Sequence, residues 1–129
     1  MIKNKTGGRP LSPHLTIYRP QFTSVLSIFH RITGVALAGT LILLVIWFFS
    51  LAVGENLFKI VNLIFLSWPV KLLFGLSVWA IWYHSCTGIR HLLYDCGVGL
   101  DSSWINRSAY IVLVLSLLLT ILTFIFRWG

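Results

Sequence analysis

The sequence predicts an all-α integral membrane protein with three transmembrane helices, and three observations carry that prediction. Hydrophobic residues make up 57% of the 129 and charged residues only 10%, against about 25% charged in average usage, so there are too few charges to coat a soluble globule. Between the charges, positions 32–54, 72–89 and 108–126 are uncharged windows of 23, 18 and 19 residues. Each is close to the ~20 residues that cross a ~30 Å hydrocarbon layer at ~1.5 Å per residue. None of the windows alternates in polarity and three segments cannot close a barrel, so the backbone must satisfy its own hydrogen bonds as helices.

A single transmembrane domain is expected over 1–129. Residues 1–20 are polar and contain Arg9-Pro10, Ser12-Pro13 and Arg19-Pro20; the residue before each proline is biased away from helix, which predicts an extended arm. The first helix begins near Gln21 or Phe22, and its membrane-crossing part is placed at about 28–52. Ser50-Leu51-Ala52 resembles a signal cleavage site, but the apolar stretch is far longer than the ~7–15 residues of a signal core, and the preceding leader is polar and Pro-rich. Ile60 to Val70 is apolar but too short to span, so a short interfacial helix is expected there, ending at Trp68-Pro69. The second span is placed at about 70–95. Cys96 to Asn106, with Gly97, Gly99, Asp101 and two serines, reads as a loop, and the third span at about 108–127 is capped by Asp101 or a following serine.

The net charge of +7 does not indicate nucleic acid, because the basic residues are scattered rather than gathered on one segment. They report topology instead. With the N-terminus cytoplasmic, that side holds Lys3, Lys5, Arg9, Arg19, Arg31, Arg90 and Arg107, and the far side Lys59, Lys71 and Arg127; seven against three predicts N-inside, C-outside. Cys86 and Cys96 lie ten residues apart on one helix and its end, about 15 Å along the axis, too far to bridge, and are read as buried packing residues. The sequence has no Cys-x-x-Cys, no Gly-rich phosphate loop and no paired intramembrane carboxylates, which argues against a self-contained enzyme.

Polar groups in a span are costly and therefore mark function or tight packing. Here they gather at the cytoplasmic ends of the first two spans. His84 and His91 are seven residues apart, which at ~100° per residue puts them on one face about 10 Å apart. Gly88 lies between them and Asp95 extends the stripe by a turn. Such a face suits a haem, with His84 offering an imidazole to iron and Gly88 giving clearance to a flat group; equally, His84 suits a hydrogen bond to a neighbouring helix. As the chain supplies one imidazole at membrane depth, a six-coordinate haem needs its second ligand from another subunit. Ser24, Ser27 and Arg31 form a second polar stripe, flanked by His30. A hydroxyl and a guanidinium there suit a quinone carbonyl, and Arg31, His30 and His91 suit carboxylates. The competing readings are snorkelling of Arg31 to lipid phosphates and close helix contact at the serines. The third span, Ala109 to Phe126, has no acid, base or His and reads as packing and lipid contact.

Three segments together resemble one family: Arg9-Pro10-Leu11-Ser12-Pro13-His14-Leu15-Thr16-Ile17-Tyr18, then Ser27-Ile28-Phe29-His30-Arg31-Ile32-Thr33-Gly34, then His84-Ser85-Cys86-Thr87-Gly88-Ile89-Arg90-His91-Leu92-Leu93-Tyr94-Asp95. They are similar to the signatures of the cytochrome b556 membrane-anchor subunits of succinate dehydrogenase (succinate:quinone oxidoreductase, respiratory complex II), and the length and three-span layout agree. The resemblance implies that His84 is one axial ligand of a single haem b, its iron being shared with a His of a second small hydrophobic anchor subunit. It implies that Ser27 and Arg31 line the site of ubiquinone, the substrate, that His30, Arg31 and His91 neighbour the haem propionates, and that Asp95 lies near the quinone pocket. It further implies partners in which the chemistry of succinate occurs: a flavoprotein subunit and an iron–sulfur subunit, this chain being no part of the succinate-oxidising active site. The arm resembles the alphaproteobacterial and mitochondrial branch. With no transit peptide ahead of it, a bacterial inner membrane is expected, a mitochondrial inner membrane being the other option. The competing functions are a haem-free structural anchor of a related oxidoreductase such as a fumarate reductase, and a small transporter subunit.

Overall fold

The computed structural model describes residues 19–128, and they form four helices in chain order: α1 Phe22–Val53, α2 Glu55–Phe65, α3 Trp68–Asp95 and α4 Ser102–Trp128. The arm expected over 1–20, with Lys3, Lys5, Arg9 and His14, lies outside the described residues except for Arg19 and Pro20. The three long helices α1, α3 and α4 are each long and apolar enough to cross a membrane, and α3 is the least apolar of them. At 32 residues, α1 is about 48 Å long and outreaches the ~30 Å hydrocarbon layer.

The helix ends follow from local chemistry. α1 begins after Pro20, where the Gln21 carbonyl accepts the Val25 N–H at 3.2 Å. It ends at Gly54, whose φ of +143° is one that side-chain-bearing residues rarely adopt. This residue closes α1, through its N–H to the Ser50 carbonyl, and opens α2, through its carbonyl to the Phe58 N–H. The short helix expected at 60–70 is therefore displaced to Glu55–Phe65. Pro69 does not end it but sits in the first turn of α3, where a missing N–H costs nothing and the fixed φ favours helix. α3 ends at Asp95 as expected, in a Schellman arrangement: Gly97, at φ +76°, donates to the Tyr94 carbonyl and Val98 to the Leu93 carbonyl.

α4 starts at Ser102, so the loop expected to reach Asn106 is shorter than predicted. The Asp101 carbonyl accepts the Ile105 N–H at 2.9 Å, and the Trp104 indole lies against Gly99, where any Cβ would collide with it. Polar residues do not oppose helix here, because the first turns of a span extend past the hydrocarbon edge. The expectation that both cysteines are buried is also corrected: Cys86 is half-buried and Cys96, beyond the end of α3, is exposed.

α3 is the middle of the bundle, packing against α1 on one side and α4 on the other, with a smaller α1–α4 contact. Leu26, Tyr83, Ala109 and Val112 form the core. Polar ties join the helices at several depths. Tyr83, 1% exposed, donates to the Leu26 carbonyl of α1 at 2.9 Å, the Thr40 and Ser77 hydroxyls of α1 and α3 meet at 2.9 Å, and the Trp82 indole N–H of α3 donates to Thr123 of α4 at 2.9 Å. Asn62 of α2 accepts from the Trp47 indole of α1 at 3.4 Å.

Arg90, which sequence reasoning treats as a topology charge, is only 6% exposed. Its Nε donates to Ser108 Oγ at 3.0 Å, its NH2 group to the Ile105 carbonyl at 3.2 Å, and its guanidinium carbon lies 4.8 Å from the Tyr94 ring centroid. Ser108 Oγ also meets the Tyr94 hydroxyl at 2.7 Å. Among the described residues, the one ion pair is the exposed Lys59–Glu55 pair of α2, so neutral oxygens and a π face stabilise the buried charge. Ser108→Ala would leave Arg90 and Tyr94 each short of a partner. A loss of about 1–3 kcal/mol in reversible unfolding in mixed micelles is expected; an unchanged stability would show that water or lipid phosphate replaces the hydroxyl.

Candidate functional site

The histidines expected to carry chemistry converge where the N-terminal part of α1 crosses the C-terminal half of α3. His30 of α1 and His84 of α3 stack with ring centroids 4.0 Å apart and planes 11° from parallel. His91, two turns further along α3, lies 5.2 Å from His30 in a tilted arrangement. The His30 ring thus stands between the two α3 imidazoles that the heptad spacing aligns. All three rings are half-buried.

His84 Nδ1 lies 3.1 Å from the backbone carbonyl oxygen of His30 and 3.4 Å from Thr33 Oγ1. A carbonyl can only accept, so this hydrogen bond requires the proton on Nδ1 and leaves the Nε2 lone pair in the plane of the ring. Among the described residues no hydrogen bond is made to Nε2. Thr33 itself is bonded locally, its hydroxyl 2.9 Å from each of the Phe29 and His30 carbonyls, as threonines within apolar helices are.

One glycine governs the crossing. At Gly34 a Cβ would stand 2.9 Å from His84 Cε1, tighter than ordinary van der Waals contact, so α1 meets the His84 ring because this position is bare. At Gly88 the nearest neighbour of such a Cβ is His30 Nε2, at 3.8 Å; the clearance inferred there faces the His30 ring.

The second polar stripe is also on this part of α1. Ser27 is half-buried, next to Leu26 whose carbonyl holds Tyr83, and Arg31 is exposed one turn further on. Asp95, the last residue of α3, is exposed. The structure brings His30, His84 and His91 together, keeps Ser27 and Arg31 on the same helix as His30, and sets Asp95 a turn beyond His91. Among the described residues no three of His, Cys, Asp and Glu converge as they would around a bare metal ion; what the site offers is a single oriented imidazole beside two other imidazoles.

Sequence reasoning passed over Thr33 and Gly34, although both stand in the segment that carries the resemblance. Gly34 falls four residues after His30, one turn along the same face, which is the available signal for a helix making room beside a ring.

The chain is similar to known proteins over nearly its whole length. Residues 5–123 match the family model described as the succinate dehydrogenase/fumarate reductase transmembrane subunit. The succinate dehydrogenase cytochrome b556 subunit of Rickettsia bellii is 42% identical over 117 residues, 91% of each chain. That of Paracoccus denitrificans is 37% identical over 119 residues, 92% of each chain. The succinate dehydrogenase cytochrome b560 subunit of Marchantia polymorpha is 41% identical over 123 residues, 91% of this chain and 89% of its own.

Proposed function

Since this chain belongs to the succinate dehydrogenase/fumarate reductase transmembrane subunit family, we propose that it holds one haem b in a succinate dehydrogenase and helps to bind and reduce ubiquinone. It is a membrane-anchor subunit of an oxidoreductase complex, multi-pass in a bacterial inner membrane. We place the N-terminus in the cytoplasm, on the seven-to-three bias of basic residues. Its partners in this reading are a flavoprotein subunit, an iron–sulfur subunit and a second small hydrophobic anchor.

The observation that carries the reading is the state of His84. With Nδ1 bonded to a backbone carbonyl, its ring is fixed and Nε2 is the free donor, which is how ligating histidines are commonly held. The donor set fits a haem: a neutral imidazole for the iron, and His30, His91 and Arg31 for the propionates. A histidine of the other anchor subunit would hold the iron as well. When bound, the haem supplies a one-electron store at the membrane edge.

The remaining residues act on the quinone. The Ser27 hydroxyl and the Arg31 guanidinium donate to its carbonyl oxygens, orienting the ring and stabilising negative charge as electrons arrive. Conversion of ubiquinone to ubiquinol takes two electrons and two protons. Succinate, oxidised in the flavoprotein subunit, supplies the electrons through the iron–sulfur subunit. The protons come from the aqueous phase, and Asp95 at the end of α3 is the acidic residue assigned to relay them.

A dithionite-reduced minus oxidised visible spectrum of the purified complex tests the haem. A low-spin b-type signal that vanishes or shifts in His84→Ala is expected; a signal unchanged by the substitution would remove His84 as ligand, and no signal in an active parent complex would leave a haem-free anchor. Ser27→Ala and Arg31→Ala are each expected to lower ubiquinone reductase activity roughly tenfold or more, as loss of one charge-assisted or catalytic hydrogen bond does. Succinate oxidation by soluble artificial acceptors should persist, and equal loss of both activities would count against the quinone role.

A further inference from the structure

We propose that a notch on α1, formed by the His30 carbonyl, Thr33 and Gly34, sets the tautomer and ring plane of His84 and thereby its strength as an iron donor. The inference rests on the reading of His84 as a haem ligand.

The His84 ring is bounded on three sides by α1. Its Nδ1 edge meets the His30 carbonyl at 3.1 Å, one face is covered by the His30 ring at 4.0 Å, and its Cε1 corner is directed at the bare Cα of Gly34. A side chain at 34 would stand 2.9 Å from Cε1, 3.5 Å from Nδ1 and 3.8 Å from Nε2. One methyl group would press on Cε1 while meeting both nitrogens at ordinary van der Waals distance. The stacked His30 limits how far the ring can swing away, so the ring would shift along the carbonyl and the Nδ1 bond would lengthen.

Thr33 acts on the same oxygen. Its hydroxyl, 4% exposed as part of the residue, lies 2.9 Å from the His30 carbonyl and 3.4 Å from Nδ1, so it touches both ends of that hydrogen bond. A stronger Nδ1–H bond makes an imidazole more basic, which favours the oxidised iron; a weaker one does the reverse. Gly34 and Thr33 are therefore positioning residues whose substitution moves the haem midpoint.

The test uses the assembled complex carrying Gly34→Ala, Thr33→Val, His84→Ala, or Gly75→Ala, the last being a glycine of α3 with nothing within 4 Å of where its Cβ would stand. The readouts are the low-spin electron paramagnetic resonance signal and the haem midpoint potential from a redox titration. Gly34→Ala should move the low-spin signal and raise the midpoint, Thr33→Val should shift the midpoint from the parent's, and Gly75→Ala should match the parent. A Gly34→Ala complex identical to the parent in both readouts, beside a His84→Ala complex without the signal, overturns the notch while leaving His84 as ligand. An unchanged signal in His84→Ala removes the ligand reading and the notch with it. Where Gly34→Ala does not assemble, Thr33→Val decides, and a midpoint equal to the parent's overturns the proposal.

Discussion

Hydrocarbon offers no hydrogen bond, and the organisation of this chain depends on that one constraint. It makes the spans helical, and it also dictates what the hydroxyl, guanidinium and imidazole side chains within them do, while the Trp79 indole N–H is buried without a partner. Hydroxyls bond back to their own helix, as Thr87 does to the Tyr83 carbonyl and Ser116 to that of Leu113, or tie two helices together as Thr40 and Ser77 do. Among the described residues, the one buried guanidinium is wrapped by a hydroxyl, a carbonyl and an aromatic face. His84 obeys the same rule by giving Nδ1 to a carbonyl, and its reactivity is what remains once the rule is satisfied.

α3 has two faces with different tasks. Towards α1 it presents His84 and His91 around the intruding His30. Towards α4 it presents Arg90 and Tyr94, which grip the first turns of that helix through Ser108 and Ile105. α4 contributes no acid, base or histidine to the site, yet the carbonyl and hydroxyl it lends fix the rotation of α3 and hence the direction of the imidazoles.

The spans were legible because charge-free windows of membrane-crossing length leave little choice. The ends were less so, for reasons visible at single residues. Pro69 reads as a terminator until it is seen as a first-turn residue of α3, and Ser102 to Asn106 read as loop because hydropathy marks only the part of a helix that lies in hydrocarbon. In the site, heptad spacing placed His84, Gly88 and His91 on one face. It could not reveal which helix covers that face, so the His30 ring between them and the bare notch at Gly34 emerged only in three dimensions. Arg90 was hidden similarly: six residues beyond His84 it lies about 120° round α3 from it, and nothing in composition says that a serine of α4 waits there.

The polar residues that give α3 its two tasks also leave it the least apolar of the three long helices. A segment carrying His84, Arg90 and His91 partitions into lipid less readily than α1 or α4, which are rich in Leu, Ile, Val and Phe. Its insertion during synthesis is therefore a cooperative event. α1, already in the bilayer and joined to α3 through only the short α2, offers the carbonyls and hydroxyls that neutralise the histidine face, and α4 follows to cover the arginine. The order of the helices along the chain thus serves biogenesis as well as architecture, with the helix hardest to insert flanked in sequence by the two that make its insertion favourable.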